Sequence, residues 1–596
     1  MITTGGSHPE PAPRATGQHG VPDSPGIRDS PRVHDTPGVH DTRGAPSRTG
    51  QRARAGQRAR ADWVPWLIAL VVFAAYATIS LSRYLRLQPG SWDLGIFTEY
   101  VKQLAHLRAP VVNIHGSGFN LLGDHFQPIV GLISPFFLLF PSPATLLVAQ
   151  ALLTAVSVVP VSRAAAAKLG AGAGRAIGAA YGFSWGLQQM IDFDFHEIAF
   201  AVPLLAFSLS ALVRGRIRAA ALWALPLVFV KEDQGFTVAA IGIIIMISSA
   251  ARVRESGAAD NRESGAGGSW GSGAGAADNR ESGAGGSWGS GAGAGRDQGA
   301  GGSRDSGARD SEARDSEARD SWDGGAFRTG ALLTIWGFAW SVLAITVIIP
   351  HFNAVHQYPY WTDGGVISPA GQHPTVLAVL GQFGHSYIAK LRTTLLILLP
   401  VAFLALGSPL GAVALPSLAL RFVSTNSSYW GAGFHYNATV MPIVFIAAVD
   451  ALARVRDHAR PPWLRTAATR YAPALMVGVA AVVAFDFPLT GLWSAQTYQI
   501  DQHVQAEDAA MAKVPDGTIV EATLTMIAPL AARDDTYWIG TAGNPAPRYI
   551  VFDESDSGWR PAPSNPLAFV EQRHPGVTYQ QIFVDNDVYV FRRAGG

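Results

Sequence analysis

Ionisable side chains that interrupt apolar sequence are costly at membrane depth, so each one asks for a chemical reason. Asp93, in Ser91-Trp92-Asp93-Leu94-Gly95, is either the N-cap of a helix over 94–107, or a catalytic carboxylate or metal ligand above the membrane. Asp124 and His125 are adjacent and introduce an apolar segment at 126–140. They either cap that segment or form a carboxylate–imidazole pair that binds a divalent ion. Asp192-Phe193-Asp194-Phe195-His196-Glu197 offers three carboxylates and an imidazole interleaved with aromatic rings and no cation. That pattern reads as a solvated acidic turn or as a rim for a metal or sugar hydroxyls. Lys231-Glu232-Asp233 divides one apolar stretch, with Pro226 before it and Gly235 after it, which favours broken helices around a site. Lys231, Lys390, Arg392 and Arg421 are cations suited to a phosphate or pyrophosphate; anchoring at the interface serves Lys390 and Arg392 equally well. His435, in Phe434-His435-Tyr436-Asn437, is a general acid or base, or a helix cap. His351, His356 and His373 accompany Tyr358-Pro359-Tyr360-Trp361, a surface suited to stacking on a sugar. The sequence has no P-loop, no GxGxxG after a strand and no HExxH.

The elements that must position these groups are mostly membrane spans. The chain has 596 residues, 48% hydrophobic and only 15% charged, with a mean hydropathy of +0.17. A soluble enzyme of this size carries roughly 25% charge, and a wholly disordered chain lacks such apolar content. The net charge of +1 gives no argument for nucleic-acid binding, and the absence of cysteine excludes disulfides, thiolate metal sites and a Cys nucleophile. Spans are expected near 63–82, 143–162, 173–190, 197–213, 218–231, 235–250, 328–350, 391–407, 409–423, 438–453 and 471–491. The fold class is therefore an all-α polytopic membrane protein of about 11 transmembrane helices. Arg163, Lys168 and Arg175 share one connection; Arg214, Arg216 and Arg218 share another; Arg454, Arg456, Arg460, Arg465 and Arg470 fill the last. Loops 191–196, 351–384 and 424–437 hold no Lys or Arg. This alternation puts the N-terminus in the cytoplasm, loop 83–142 outside, and segment 126–140 in the outer interface.

Two tracts lack an apolar face. Residues 1–62 repeat a hexapeptide (DSPGIR, DSPRVH, DTPGVH) and read as a disordered cytoplasmic tail. Residues 251–327 repeat AADNRESGAGGSWGSGAG and read as a disordered cytoplasmic linker between membrane halves 63–250 and 328–493. Residues 494–596 change character. A helix over 503–514, strands at 517–524 and 548–553, and a hairpin around Asp585-Asn586-Asp587 suggest a small extracytoplasmic α+β domain.

SWDLGIF, GDHFQPIVGLISPFFLLFPSPATLLVAQALLTA, FDFHEIAFAVPLLAFSL, LPLVFVKEDQGF and FHYNATVMPIVF resemble the membrane proteins of domain of unknown function 2079, over roughly 63–250 and 328–596. That family is similar in layout to the GT-C glycosyltransferases, which use polyprenyl-phosphate sugars from the outer leaflet. The resemblance implies that Asp93 is the first-loop acid, that Pro128 opens the interfacial segment and that Lys231 sits near the donor phosphate. No Asp-Glu or Asp-Asp pair stands at Asp93, since Leu94 follows it. The expectation is an inverting sugar transfer to an envelope glycan or protein acceptor at the outer face of a bacterial plasma membrane. Asp93, Glu232 and His435 would do the acid–base work, and the cations Lys231, Lys390, Arg392 and Arg421 would hold the lipid phosphate. Mg2+ or Mn2+ would sit near Asp124, His125, Asp194, His196 and Glu197. The partners are then the bilayer, a lipid-linked sugar and the acceptor. The alternatives are a transporter or lipid flippase, and a non-catalytic scaffold.

Overall fold

A proline near the start, an unbroken apolar run and a terminal Arg83 give helix α1 (Val64–Leu85), 22 residues long. In the computed structural model, which describes residues 63–266, 305–362, 375–459, 461–556 and 562–595, α1 is followed by α2 (Asp93–Ala105). Then come α3 (Pro143–Leu169), α4 (Gln234–Ala266) and α5 (Asp305–Leu343). The membrane part closes with α6 (Val440–His458) and α7 (Pro462–Ala484). The tail expected over 1–62, the central part of the low-complexity tract, His373 and Arg460 lie outside the described residues.

Among the described residues five helical stretches are long and apolar enough to cross a membrane: α1, α3, Gln234–Arg252 of α4, Gly324–Phe352 and α7. Shorter apolar helices run over Pro128–Leu139, Glu197–Val213, Ile217–Phe229 and Pro409–Val423. The expected eleven continuous spans are thus divided. The 173–190 stretch breaks between helices Ala171–Gly182 and Trp185–Phe193, where Ser184 is extended (ψ 144°). The 391–407 stretch breaks after Leu398, where Ala402 and Phe403 take positive φ. Leu332, Ile335 and Phe338 on α5 and Leu67 and Leu70 on α1 are exposed, an apolar surface that lipid satisfies and water does not. Helix α6 is the opposite case: Val440 through Val449 are all buried, at the centre of the bundle.

The 251–327 tract departs from its reading as disorder at both ends. Helix α4 runs on to Ala266, and α5 begins at Asp305. Ala, Arg and Glu between 251 and 266 are good helix formers, and they extend a helix already nucleated in the apolar segment.

Helices α4 and α5 meet through glycines seven residues apart on each. A Cβ on Gly235 would stand 2.3 Å from the Gly337 carbonyl oxygen, and one on Gly242 would stand 2.5 Å from that of Gly330. Only glycine permits this approach, which replaces the missing hydrophobic drive between helices in lipid by backbone-to-backbone packing. The contact fixes what precedes α4. Ser341 of α5 donates to the Glu232 carbonyl at 2.6 Å, and Asn353 donates to the Gly123 carbonyl at 2.9 Å.

The C-terminal part is α+β, as its strands suggest. Helix α8 (Gln502–Met511) is capped by Asp501, whose carboxylate accepts from Val504 N at 2.9 Å. There follow β1 (Ile519–Ala522), α9 (Leu524–Ala531), β2 (Asp535–Trp538), β3 (Tyr549–Asp553), α10 (Pro566–Arg573), β4 (Tyr579–Asp585) and β5 (Val588–Arg593). The sheet order is β2-β1-β3-β5-β4, parallel across β2-β1-β3 and antiparallel beyond. Asn586 and Asp587 both have positive φ (43° and 62°), the turn the hairpin requires. This part packs on α2: Trp538 meets Trp92 edge-on at 4.6 Å, and Lys102 donates to the Asp534 carbonyl at 2.5 Å.

Candidate functional site

Some of the polar residues of the membrane part gather around a cavity of about 210 Å³. His125, Lys231, Glu232, Arg421, His435 and Tyr436 line it, and Tyr358, Tyr360 and Tyr429 complete an aromatic wall. Residues from four distant stretches of chain therefore face one space.

The first chain of contacts starts at Lys231, whose Nζ pairs with Glu197 Oε1 at 3.1 Å. Glu197 is fully buried, and its other oxygen meets His196 Nδ1 at 2.6 Å. The His196 ring stacks on His435 with centroids 3.4 Å apart. His435 is buried, and among the described residues its Nδ1 has no hydrogen-bond partner. Burial, with His196 adding to it, lowers the His435 pKa well below the ordinary imidazole value, against the pull of Glu197. His435 is therefore a neutral imidazole at pH 7. It caps no helix, since α6 starts after Thr439 without a side-chain cap.

The second chain runs through His125. Its Nδ1 donates to Glu232 Oε1 at 2.8 Å, and its Nε2 lies 2.6 Å from the Tyr360 hydroxyl, which donates to Asp124 at 3.2 Å. Tyr358 OH and Phe126 N also donate to Glu232, at 3.0 and 3.2 Å. Burial and Lys231 oppose a charge on His125, but Glu232 and Asp124 outweigh them and raise its pKa. Burial opposes ionisation of Glu232, but the His125 charge and hydrogen bond, with Lys231, hold its pKa low. Glu232 is thus committed to binding His125, Tyr358 and the Phe126 amide.

Arg421 is nearly buried, and its guanidinium donates to the carbonyls of Tyr429 (3.1 Å) and Tyr436 (3.2 Å) and to Asn437 Oδ1 (3.0 Å). Its carbon lies 5.6 Å from the Tyr436 ring centroid. Among the described residues no carboxylate pairs with it, so its charge is solvated only by dipoles.

Asp93 is the first residue of α2 and makes no capping bond; its own N–H donates to Ser91 Oγ at 2.9 Å. Asp194 positions it from below. The Asp194 carboxylate accepts from Gly90 N at 3.0 Å and Ser91 N at 3.1 Å, and a Cβ at Gly90 would collide with the Phe193 carbonyl. Gln150 of α3 holds the same loop, donating to the Asp194 carbonyl at 2.5 Å and accepting from His196 N at 3.0 Å. Burial, with Glu197 adding to it, raises the Asp93 pKa, while His196, Ser91 and Lys231 pull the other way. Asp93 thus neighbours the Glu197–His196 pair electrostatically without being part of the cavity lining.

Several expected groupings separate. Lys390 places its ammonium 4.6 Å from the Trp430 ring centroid and donates to the Gln382 carbonyl. Arg392 is exposed on another depression with Ser386 and Thr393. Neither lines the cavity with Lys231 and Arg421. Asp124, His125, Asp194, His196 and Glu197 do not form one ligand set. Asp194 is spent on two amides, Glu197 on Lys231 and His196, and His125 on Glu232, so they do not fit a Mg2+ or Mn2+ ion. Sequence reasoning did not find Gln150, Tyr429 and Tyr436 as contributors; a buried glutamine in an apolar helix was the available signal.

A family model described as a predicted membrane protein, DUF2079, matches residues 83–581. No curated protein matches the chain. Among solved structures it is similar to ArnT from Cupriavidus metallidurans bound to undecaprenyl phosphate. The TM-score is 0.42 and the identity 12%, over 88% of this chain and 97% of that one.

Proposed function

The chain belongs to the DUF2079 family of predicted membrane proteins, and we propose that it moves a sugar from a polyprenyl-phosphate donor to an envelope acceptor. The observation that carries this reading is the cavity between apolar helices, walled by tyrosines and holding Arg421 without a carboxylate partner. A lipid phosphate supplies the missing anion, the apolar helices accommodate a prenyl chain, and the tyrosine rings suit a sugar face. In this reading Asp93, which lies outside the lining but near enough to Tyr436 of the cavity wall to act on its hydroxyl, takes the proton of an acceptor hydroxyl entering at that edge. The acceptor oxygen attacks the anomeric carbon, and the carbon–oxygen bond to phosphate breaks with its electron pair on the leaving phosphate. Arg421 and Lys231 stabilise that charge. A single displacement inverts the anomeric centre. His435 is a neutral imidazole placed to accept or relay a proton. No step passes through a metal, because the expected ligands are committed elsewhere. The cavity is expected to open on the outer face, with the C-terminal part extracytoplasmic.

The test is binding first and turnover second, on the full chain in nanodiscs. Polyprenyl phosphate should raise the unfolding temperature of the wild type. Arg421→Gln should weaken binding about ten- to a hundredfold, the worth of one charge-assisted contact. Asp93→Asn should still bind polyprenyl phosphate but transfer no sugar from a polyprenyl-phosphate sugar. Wild-type transfer by Asp93→Asn removes that residue from the chemistry. No binding by the wild type removes the donor class and favours a transporter or scaffold.

A further inference from the structure

We propose that the C-terminal domain binds one divalent transition-metal ion between α8 and the end of β3, held by His503, Glu507 and Asp553. His503 and Glu507 are four residues apart on α8 and so share a face, and Asp553 is the last residue of β3. One ligand atom from each lies within 4.8 Å of the other two. His503 Nε2 stands 3.2 Å from Asp553 Oδ2. Both the amide and the hydroxyl of Ser555 donate to Asp553 Oδ1 at 2.9 Å, which leaves Oδ2 turned toward the imidazole. Support of this kind around a ligand fixes the orientation of the donor atom.

An imidazole–carboxylate pair alone would also join α8 to the sheet. Glu507 argues for more. It is only 2% exposed; the Thr525 hydroxyl lies beside the carboxylate, but among the described residues Oε1 accepts no hydrogen bond of good geometry. A buried carboxylate served by no more than one poorly aligned hydroxyl, beside a second buried carboxylate, is a costly arrangement that a cation relieves. The His503 side chain is 34% exposed, which gives an ion a path from water. One imidazole nitrogen with two carboxylate oxygens suits zinc or manganese better than calcium, which prefers oxygen throughout. The ion would pin α8, the first helix after α7, to the sheet. The site is independent of the sugar transfer.

The experiment uses the full chain, purified in detergent and dialysed against a chelator. Zn2+ and Mn2+ are titrated calorimetrically, and the unfolding temperature is measured with and without metal. The expected result is one saturable ion per chain and a raised unfolding temperature. Glu507→Gln, which keeps the side-chain volume, should bind about tenfold more weakly or worse and lose the thermal shift. Its circular dichroism should match the wild type, and His503→Ala should behave likewise. Absence of saturable binding by the wild type overturns the proposal, as does wild-type affinity in both variants.

Discussion

Glu99, set among Lys102, Ile114 and Asp535, tests how buried charge is managed on α2. It is fully buried on α2, accepts from Ile114 N at 3.3 Å, and burial raises its pKa to about 8. Between the unfolded value near 4.5 and about 8, the native state holds a proton that the unfolded state has released. Stability therefore falls as pH rises through that window and levels off above it. Glu99→Gln should remove its share of this slope, leaving the smaller share of Glu507, raised to about 7. Thermal unfolding should show the variant more stable than wild type by a few kcal/mol at pH 8 and about equal at pH 4.5; equal curves at both pH values would contradict the burial argument. The same cost made many site residues visible in sequence. Lys231, Glu232, His125 and His435 stood out because each interrupts apolar sequence, and each does line the cavity. Their partners were not visible. Lys231 to Glu197 and His125 to Glu232 join residues far apart in the chain, and nothing in a local pattern selects one carboxylate over its neighbours. The expected metal set failed for the same reason, since Asp194 turned out to serve two backbone amides.

At the scale of elements, length and apolarity revealed α1, α3 and α5 because a long unbroken run has few alternatives to a helix. The shorter helices were harder to place: Gly182 and Gly186 flank the break at Ser184 and Pro400 precedes the one at Ala402, but glycine and proline also occur inside these membrane helices and so do not by themselves mark a break. Strand β2 was missed because Asp534 and Asp535 hide its start, while its register is set by pairing with β1. The α4–α5 contact is the element most open to test. Gly242→Ala places a methyl group 2.4–2.5 Å from Thr334 Oγ1 and the Gly330 carbonyl. Such overpacking costs about 1–3 kcal/mol. Because Lys231-Glu232-Asp233 leads directly into α4, the variant should lose polyprenyl-phosphate binding along with thermal stability, whereas Ala at the open Gly478 of α7 should change neither.

For the whole molecule, the distribution of Lys and Arg gives an orientation that labelling can check without background, because the chain has no cysteine. Gln580→Cys on exposed β4 should react with an impermeant maleimide in intact cells, and Asp457→Cys at the end of α6 only after permeabilisation. The reverse pattern would turn the protein over and place the cavity's chemistry on the cytoplasmic side. Composition marked the change to an α+β C-terminal part, but not its seat against α2, since Trp92 and Trp538 carry no mark of each other in sequence. The paired glycines of α4 and α5 also bear on how the two membrane halves stay in register. Their match is one of shape within the lipid, carbonyl against bare α-carbon. Because that match is made inside the lipid, it does not depend on how many residues separate α4 from α5 in sequence, and Lys231 keeps its place whatever that number.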